Sequence, residues 1–201
     1  MIEAHARRKL GAFSLSADLS DGGFICLSGR NGSGKSCFFR AMAGQLPIDE
    51  GSVTVGGRDV SRLPVERRGV VLVTPASSIP HLSVDDHLLW GARLRGIPLD
   101  PERVSRVRTD LGIDFQGRVR LLSLGMRERV SLATTLLASP AVNLVDEAFA
   151  NLHQRDGFMA TYRRLASEAG IDVVFSTQDE ADGRLADHLY LMREGRTEKR
   201  F

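Results

Sequence analysis

The run Gly29-Arg30-Asn31-Gly32-Ser33-Gly34-Lys35-Ser36 constrains this chain more than any other stretch. Before it lies Phe24-Ile25-Cys26-Leu27-Ser28, a short apolar segment of the kind that forms a buried parallel strand. After it, Cys37-Phe38-Phe39-Arg40-Ala41-Met42-Ala43 has helical spacing. The context is strand, glycine loop, helix. Glycines let the backbone fold tightly enough for successive N–H groups to point inward at phosphate oxygens, and the start of the following helix adds partial positive charge. Lys35 supplies a full charge. The Ser36 hydroxyl would complete the coordination of a Mg²⁺ bridging two phosphates. Residues Gly29 to Ser36, together with Cys37, are the candidate phosphate-binding set.

A chain of 201 residues is of single-domain size with room for one inserted subdomain, and 42% hydrophobic content fills a core. Lys plus Arg number 27 against 25 for Asp plus Glu, so a net charge of +2 gives no strong case for nucleic acid as the main partner, and none is expected. No apolar run reaches transmembrane length, and Met1-Ile2-Glu3-Ala4-His5-Ala6-Arg7-Arg8-Lys9 lacks the apolar segment of a signal peptide. The expectation is a cytoplasmic protein. Cys26 and Cys37 fall in the strand and helix flanking the loop, which suits reduced thiols better than a disulfide or a metal pair.

Phe13, Leu15, Ala17 and Leu19 alternate with polar residues as in a half-buried strand, and an antiparallel edge is expected there. Residues 52–55 read as a strand, and residues 70–73 as a central parallel one. Three helices follow with no strand between them: one opened by Ser83 and stopped at Gly96, one from Asp100-Pro101 to about Leu111, one from Ser123 to Pro140. Strands resume at residues 141–145, 173–176 and 189–192, with a helix from Gln154 to Ala169 and a turn at Glu194-Gly195. The expected fold is α/β: a mostly parallel sheet with an N-terminal antiparallel edge and an inserted helical subdomain. Its core would be residues 1–74 and 139–201, and its insert residues 75–138.

Asp146-Glu147 stands at the carboxyl end of a buried apolar run, where ligands of open α/β sheets lie. Alone, such a pair is more often a helix cap. Beside the glycine loop it reads as chemistry: Asp146 holding Mg²⁺ through water, and Glu147 placed where a water attacks the terminal phosphate.

At this point the residues resemble a family. Leu122-Ser123-Leu124-Gly125-Met126-Arg127-Glu128-Arg129, a helix, and then Val142-Asn143-Leu144-Val145-Asp146-Glu147 look like the signature motif and Walker B of ABC-type ATPases. Leu63-Pro64 with Arg67-Arg68, the residue 70–73 strand and Pro80-His81-Leu82-Ser83-Val84 are similar to the corresponding run in importer subunits of the molybdate, sugar and polyamine type. The resemblance implies a P-loop ATPase fold, ATP and Mg²⁺ as ligands, and ATP hydrolysis. It also implies head-to-tail pairing with a second copy or a related subunit, each ATP lying between the glycine loop of one chain and Ser123, Gly125 and Met126 of the other. The implied setting is the inner face of a membrane carrying a separate permease. A soluble ABC ATPase without a permease, and a nucleotide-gated interaction protein that hydrolyses little, are the competing readings.

The departures from the family pattern bear on mechanism. Thr74 stands where the family has a glutamine, and could offer its hydroxyl to Mg²⁺ or water. Gln178 stands where it has a histidine, and donates hydrogen bonds without carrying charge. A slow enzyme is the expectation. Cys37 replaces a threonine, Leu124 a glycine, Met126 a glutamine and His153 an aspartate. The role of His153 is open between a helix-start residue and a dimer contact. No aromatic clearly occupies the adenine-stacking position: Phe13 is the nearest, and its alternation with Leu15 favours core packing. Trp90 reads as packing within the subdomain or as part of a partner surface.

Overall fold

The computed structural model describes all of residues 1–201. A ten-stranded sheet runs in the order β5-β4-β1-β2-β10-β9-β3-β8-β7-β6. Its antiparallel half begins with β1 (Ile2–Leu10) and β2 (Phe13–Asp21), a hairpin closed by Gly11-Ala12 with Gly11 at φ 62°. Ile2, Ala4 and Ala6 face the core from β1, and Leu15, Ala17 and Leu19 from β2. Strand β1 is absent from the sequence reading because Arg7-Arg8-Lys9 masks its alternation. On its other side β1 pairs with β4 (Glu50–Val55), which carries β5 (Arg58–Asp59) at the edge.

In the parallel half β3 (Phe24–Ser28) lies between β8 (Asp172–Thr177) and β9 (His188–Arg193), with β7 (Val142–Asp146) beyond β8 and β6 (Val70–Val73) outermost. All five residues of β3 are buried, which is why it reads as an unbroken apolar run. Helix α1 (Lys35–Ala43) seals this half by setting Phe38, Phe39 and Met42 into a cluster with Leu15, Leu27 and Leu144. Each phenylalanine so buried contributes about 1.5–3 kcal/mol. The residues after Glu194-Gly195, expected only as a tail, form β10 (Arg196–Lys199), antiparallel to β9 and bridged to β2 at Arg196↔Ser16.

The chain divides into two compact units: Met1–Leu72, Ala141–Asp146 and Asp172–Phe201 in the first, Val73–Pro140 and Glu147–Ile171 in the second. The second unit is helical: α2 (Val84–Leu94), α3 (Pro101–Asp110), α4 (Leu124–Leu137) and α5 (Arg155–Glu168). Side-chain caps explain three of the starts: Ser83 accepts from Asp86 N, Asp100 from Glu102 N ahead of Pro101, and Ser123 from Met126 N. Within the unit, His87 of α2 meets Thr134 of α4 at 2.8 Å. Helix α5 joins this unit through Tyr162, whose hydroxyl is 3.1 Å from Thr135 Oγ1, and through two ion pairs to α3, Arg164 with Asp110 and Arg106 with Glu168, both 2.7 Å. Residues 147–171 therefore group with the helices, where the sequence reading had put them in the sheet core. No helix is long and apolar enough to cross a membrane.

Candidate functional site

The glycine loop leaves the carboxyl end of β3 and is tied to its neighbours by backbone bonds. Gly29 N donates to Thr177 O at 3.1 Å, and Gly195 N, in the β9–β10 turn, donates to Ser33 O at 2.8 Å. Two of its glycines are obligatory. A Cβ on Gly29 would stand 2.5 Å from Met192 O, and Gly34 combines φ 111° with a Cβ position 2.8 Å from the Phe13 ring. Gly34 is also the cap residue of α1 and supplies no side chain to it. A helix start that follows a glycine cap is the arrangement that receives an anion.

Lys35 is 4% exposed, and its Nζ donates to Gly29 O at 2.6 Å and Arg30 O at 3.3 Å. The ammonium is folded back over its own loop, as it must be to reach a ligand held there. Ser36 is exposed and Cys37 half-buried, while Arg30, Asn31 and Gly32 face solvent. Asp146, at the end of β7, is 8% exposed and accepts from Ser176 Oγ at 2.7 Å, on the neighbouring strand. Sequence reasoning missed Ser176, because it shows only through the β7–β8 register, Asp146↔Ser176. Gln178 is exposed and lines a cleft of about 830 Å³ with Ser28, Gly29, Arg30, Asn31, Gly32 and Ser33. The first unit therefore brings together the loop, Lys35 and Gln178, with Asp146 two strands from β3. Phe13 packs against both the core cluster and the loop at Gly34.

The second unit carries the remaining candidates. Glu147 is half-buried at φ 57°, a left-handed conformation that costs a non-glycine residue about 1–3 kcal/mol and is characteristic of functional turns. Its carbonyl accepts from Ala150 N at 3.1 Å. Thr74 Oγ1 lies 3.2 Å from Ser77 Oγ and accepts from Ala76 N at 3.3 Å, both contacts inside its own turn. Ser123 caps α4 with its Oγ 3.3 Å from Met126 N. Leu121 and Leu124, on either side of it, are 76% and 41% exposed. Trp90 is 41% exposed, and His153 is exposed with its carbonyl accepting from Arg129 Nη2 at 3.1 Å.

A Mg²⁺–nucleotide fits these donors. An uncapped helix start and a buried ammonium suit phosphate oxygens, and a hydroxyl with a carboxylate suits a hard cation. A family model described as ABC transporter matches residues 13–150. The thiamine import ATP-binding protein ThiQ of Jannaschia sp. strain CCS1 is 36% identical over 200 residues, covering 94% of this chain and 87% of the relative. The sulfate/thiosulfate import ATP-binding protein CysA of Mycolicibacterium paratuberculosis is 36% identical over 186 residues, covering 89% and 51%. For the Fe(3+) ions import ATP-binding protein FbpC of Streptomyces avermitilis the figures are 35% over 188 residues, 89% and 54%. The chain thus spans most of the first relative and about half of the other two. Among solved structures, an ATP-binding subunit of an ABC transporter superposes with a TM-score of 0.82 at 18% identity, over 99% of this chain and 90% of that one. A dimeric ATP-binding cassette bound to ADP and Pi superposes at 0.80 and 20%, over 99% and 98%. At those identities the structures speak for the fold.

Proposed function

Since this chain belongs to the ABC transporter family, as an ATP-hydrolysing subunit of the importer kind, we propose that it works as one half of a pair enclosing ATP and drives a separate membrane permease. Residues Gly29, Arg30, Asn31, Gly32, Ser33 and Gly34 cradle the phosphates through backbone N–H groups, and Lys35 neutralises them. Ser36 and Asp146 hold Mg²⁺, which when bound offsets charge on the phosphate oxygens. Cys37 adds a backbone N–H to the same helix start. Glu147 orients and deprotonates the attacking water, and Gln178 donates a hydrogen bond to a phosphate oxygen or to that water. Ser123, Gly125 and Met126 complete the site of the opposite chain at the start of α4. The observation that carries the ATP site is Lys35, a nearly buried cation held over the glycine loop by the carbonyls of Gly29 and Arg30. A buried ammonium is stable only with oxygen partners, and phosphate supplies the strongest.

Exposed Leu121 and Leu124 beside Ser123 support the pairing, because they put apolar surface where a second chain would cover it. The relatives' names cover a vitamin, an oxyanion and a metal ion. We take the cargo to be chosen by other chains of the importer and this chain's place to be cytoplasmic, at the membrane's inner face. A second reading, nucleotide-gated pairing with slow hydrolysis, is favoured by Thr74, whose hydroxyl is taken up by Ser77 and Ala76, and by the neutral Gln178.

Glu147→Gln tests the proposal. It removes the carboxylate that activates water and leaves phosphate and metal binding in place, so the ATP-bound pair should accumulate. Size-exclusion chromatography with light scattering should show a dimer in Mg-ATP and a monomer without nucleotide. A variant that stays monomeric at high protein and ATP concentration refutes self-pairing.

A further inference from the structure

Helix α4 grips the segment that follows Glu147 along one face. Gly125, Glu128 and Arg129 fall at i, i+3 and i+4, so they share that face. A Cβ on Gly125 would stand 2.9 Å from Asn151 O, so the first turn of α4 lies directly on this backbone. Glu128 Oε1 accepts from Asn151 Nδ2 at 2.9 Å. Arg129 donates to His153 O at 3.1 Å and to Leu111 O at 3.1 Å, with its guanidinium 5.3 Å above the Phe158 ring. Glu128 is 1% exposed, and its second oxygen, Oε2, is buried without a hydrogen-bond partner. A carboxyl in that position costs stability, and an apolar residue would pack there more cheaply, so its one hydrogen bond needs a reason.

We infer that Glu128 is a positioning residue that locks Asn151, and through it the turn carrying Glu147, to the signature end of α4. The inference rests on the proposed pairing. Ser123 would feel the partner's ATP, and the Glu128–Asn151 bond would pass that position along four residues of chain to Glu147, in the same compact unit. Burial raises the Glu128 carboxyl above its ordinary value, with the Asn151 hydrogen bond and Arg127 opposing. A proton on Oε2 leaves Oε1 free to accept, so the clasp needs an acceptor at that point and not a charge.

The test uses the full chain and the variants Glu128→Ala, Glu128→Gln, Asn151→Ala and the Glu128→Ala/Asn151→Ala pair. Losing one hydrogen bond of this type should lower kcat for Mg-ATP by roughly two- to tenfold in either alanine variant. Equilibrium ATP affinity should stay at the wild-type value. The double variant should be no slower than the worse single one, because both remove the same bond. Glu128→Gln should keep wild-type kcat, since its amide oxygen still accepts from Asn151. If both alanine variants turn over at the wild-type rate, if their losses multiply, or if Glu128→Gln is as slow as Glu128→Ala, the inference is wrong. Asn151 is exposed, so Asn151→Ala reads the bond even if Glu128→Ala does not fold. A wild-type protein that hydrolyses no ATP would refute the hydrolytic reading. The clasp then shows in hydrogen exchange, as faster exchange of residues 150–153 in Asn151→Ala, and unchanged exchange overturns it.

Discussion

Lys35 carries two kinds of consequence at the scale of single residues. Its Nζ holds the carbonyls of Gly29 and Arg30, so it shapes the loop as well as charging it. A charge-assisted contact of this type contributes about 1.5–3 kcal/mol. Lys35→Ala should therefore weaken Mg-ATP binding at least tenfold in isothermal titration, and an unchanged Kd would remove the loop from the site. Gln178 lines the same cleft but brings no positive charge. One preorganised donor is worth about 10²–10³ in rate, and a histidine would add to the transition state what the ground state does not use. Gln178→His should raise kcat without changing ATP affinity. Equal turnover in Gln178→His, Gln178→Ala and wild type would mean that Gln178 takes no part in hydrolysis.

Among elements, β3, the loop and α1 were legible because every signal for them is local: an apolar run, glycines at the right places, then helical spacing. The three helices of the insert were legible through Ser83, Asp100-Pro101 and Ser123, each a cap that declares itself in sequence. Strands β1 and β10 were not, because Arg7-Arg8-Lys9 and Arg196 to Lys199 read as polar surface. Their strand character comes from partners far along the chain, β2 and β4 for β1, β9 and β2 for β10. The β1–β4 ladder also has a requirement that its sequence conceals. Gly51 sits at φ 106°, and a Cβ there would stand 1.8 Å from His5 O. Gly51→Ala should cost about 1–3 kcal/mol for the backbone conformation alone, with the clash in addition. Urea denaturation reads this as a lowered midpoint, and a wild-type midpoint would contradict the ladder's register.

At the scale of the whole molecule, the division of the chain falls between Asp146 and Glu147. Sequence adjacency put the two carboxylates together as one motif, whereas the fold assigns one to the sheet unit and the other to the helical unit. Nothing local could reveal this, because it depends on Tyr162, Arg164 and Glu168 of α5 meeting Thr135, Asp110 and Arg106. The same holds for the Glu128–Asn151 bond, which joins residues 23 positions apart. A chain so divided offers a phosphate loop from one unit and Ser123 from the other, and pairing head to tail would join the loop of each copy to the serine of its partner. Mixing two inactive variants tests this most directly. Lys35→Ala lacks the phosphate charge but keeps Ser123. Ser123→Arg blocks the signature end but keeps Lys35. Each should be inactive alone, and mixed in equal amounts they should recover ATPase activity, because one site of every mixed pair holds an intact loop and an intact serine. Recovery is the predicted result; a mixture no more active than its components would contradict a shared site.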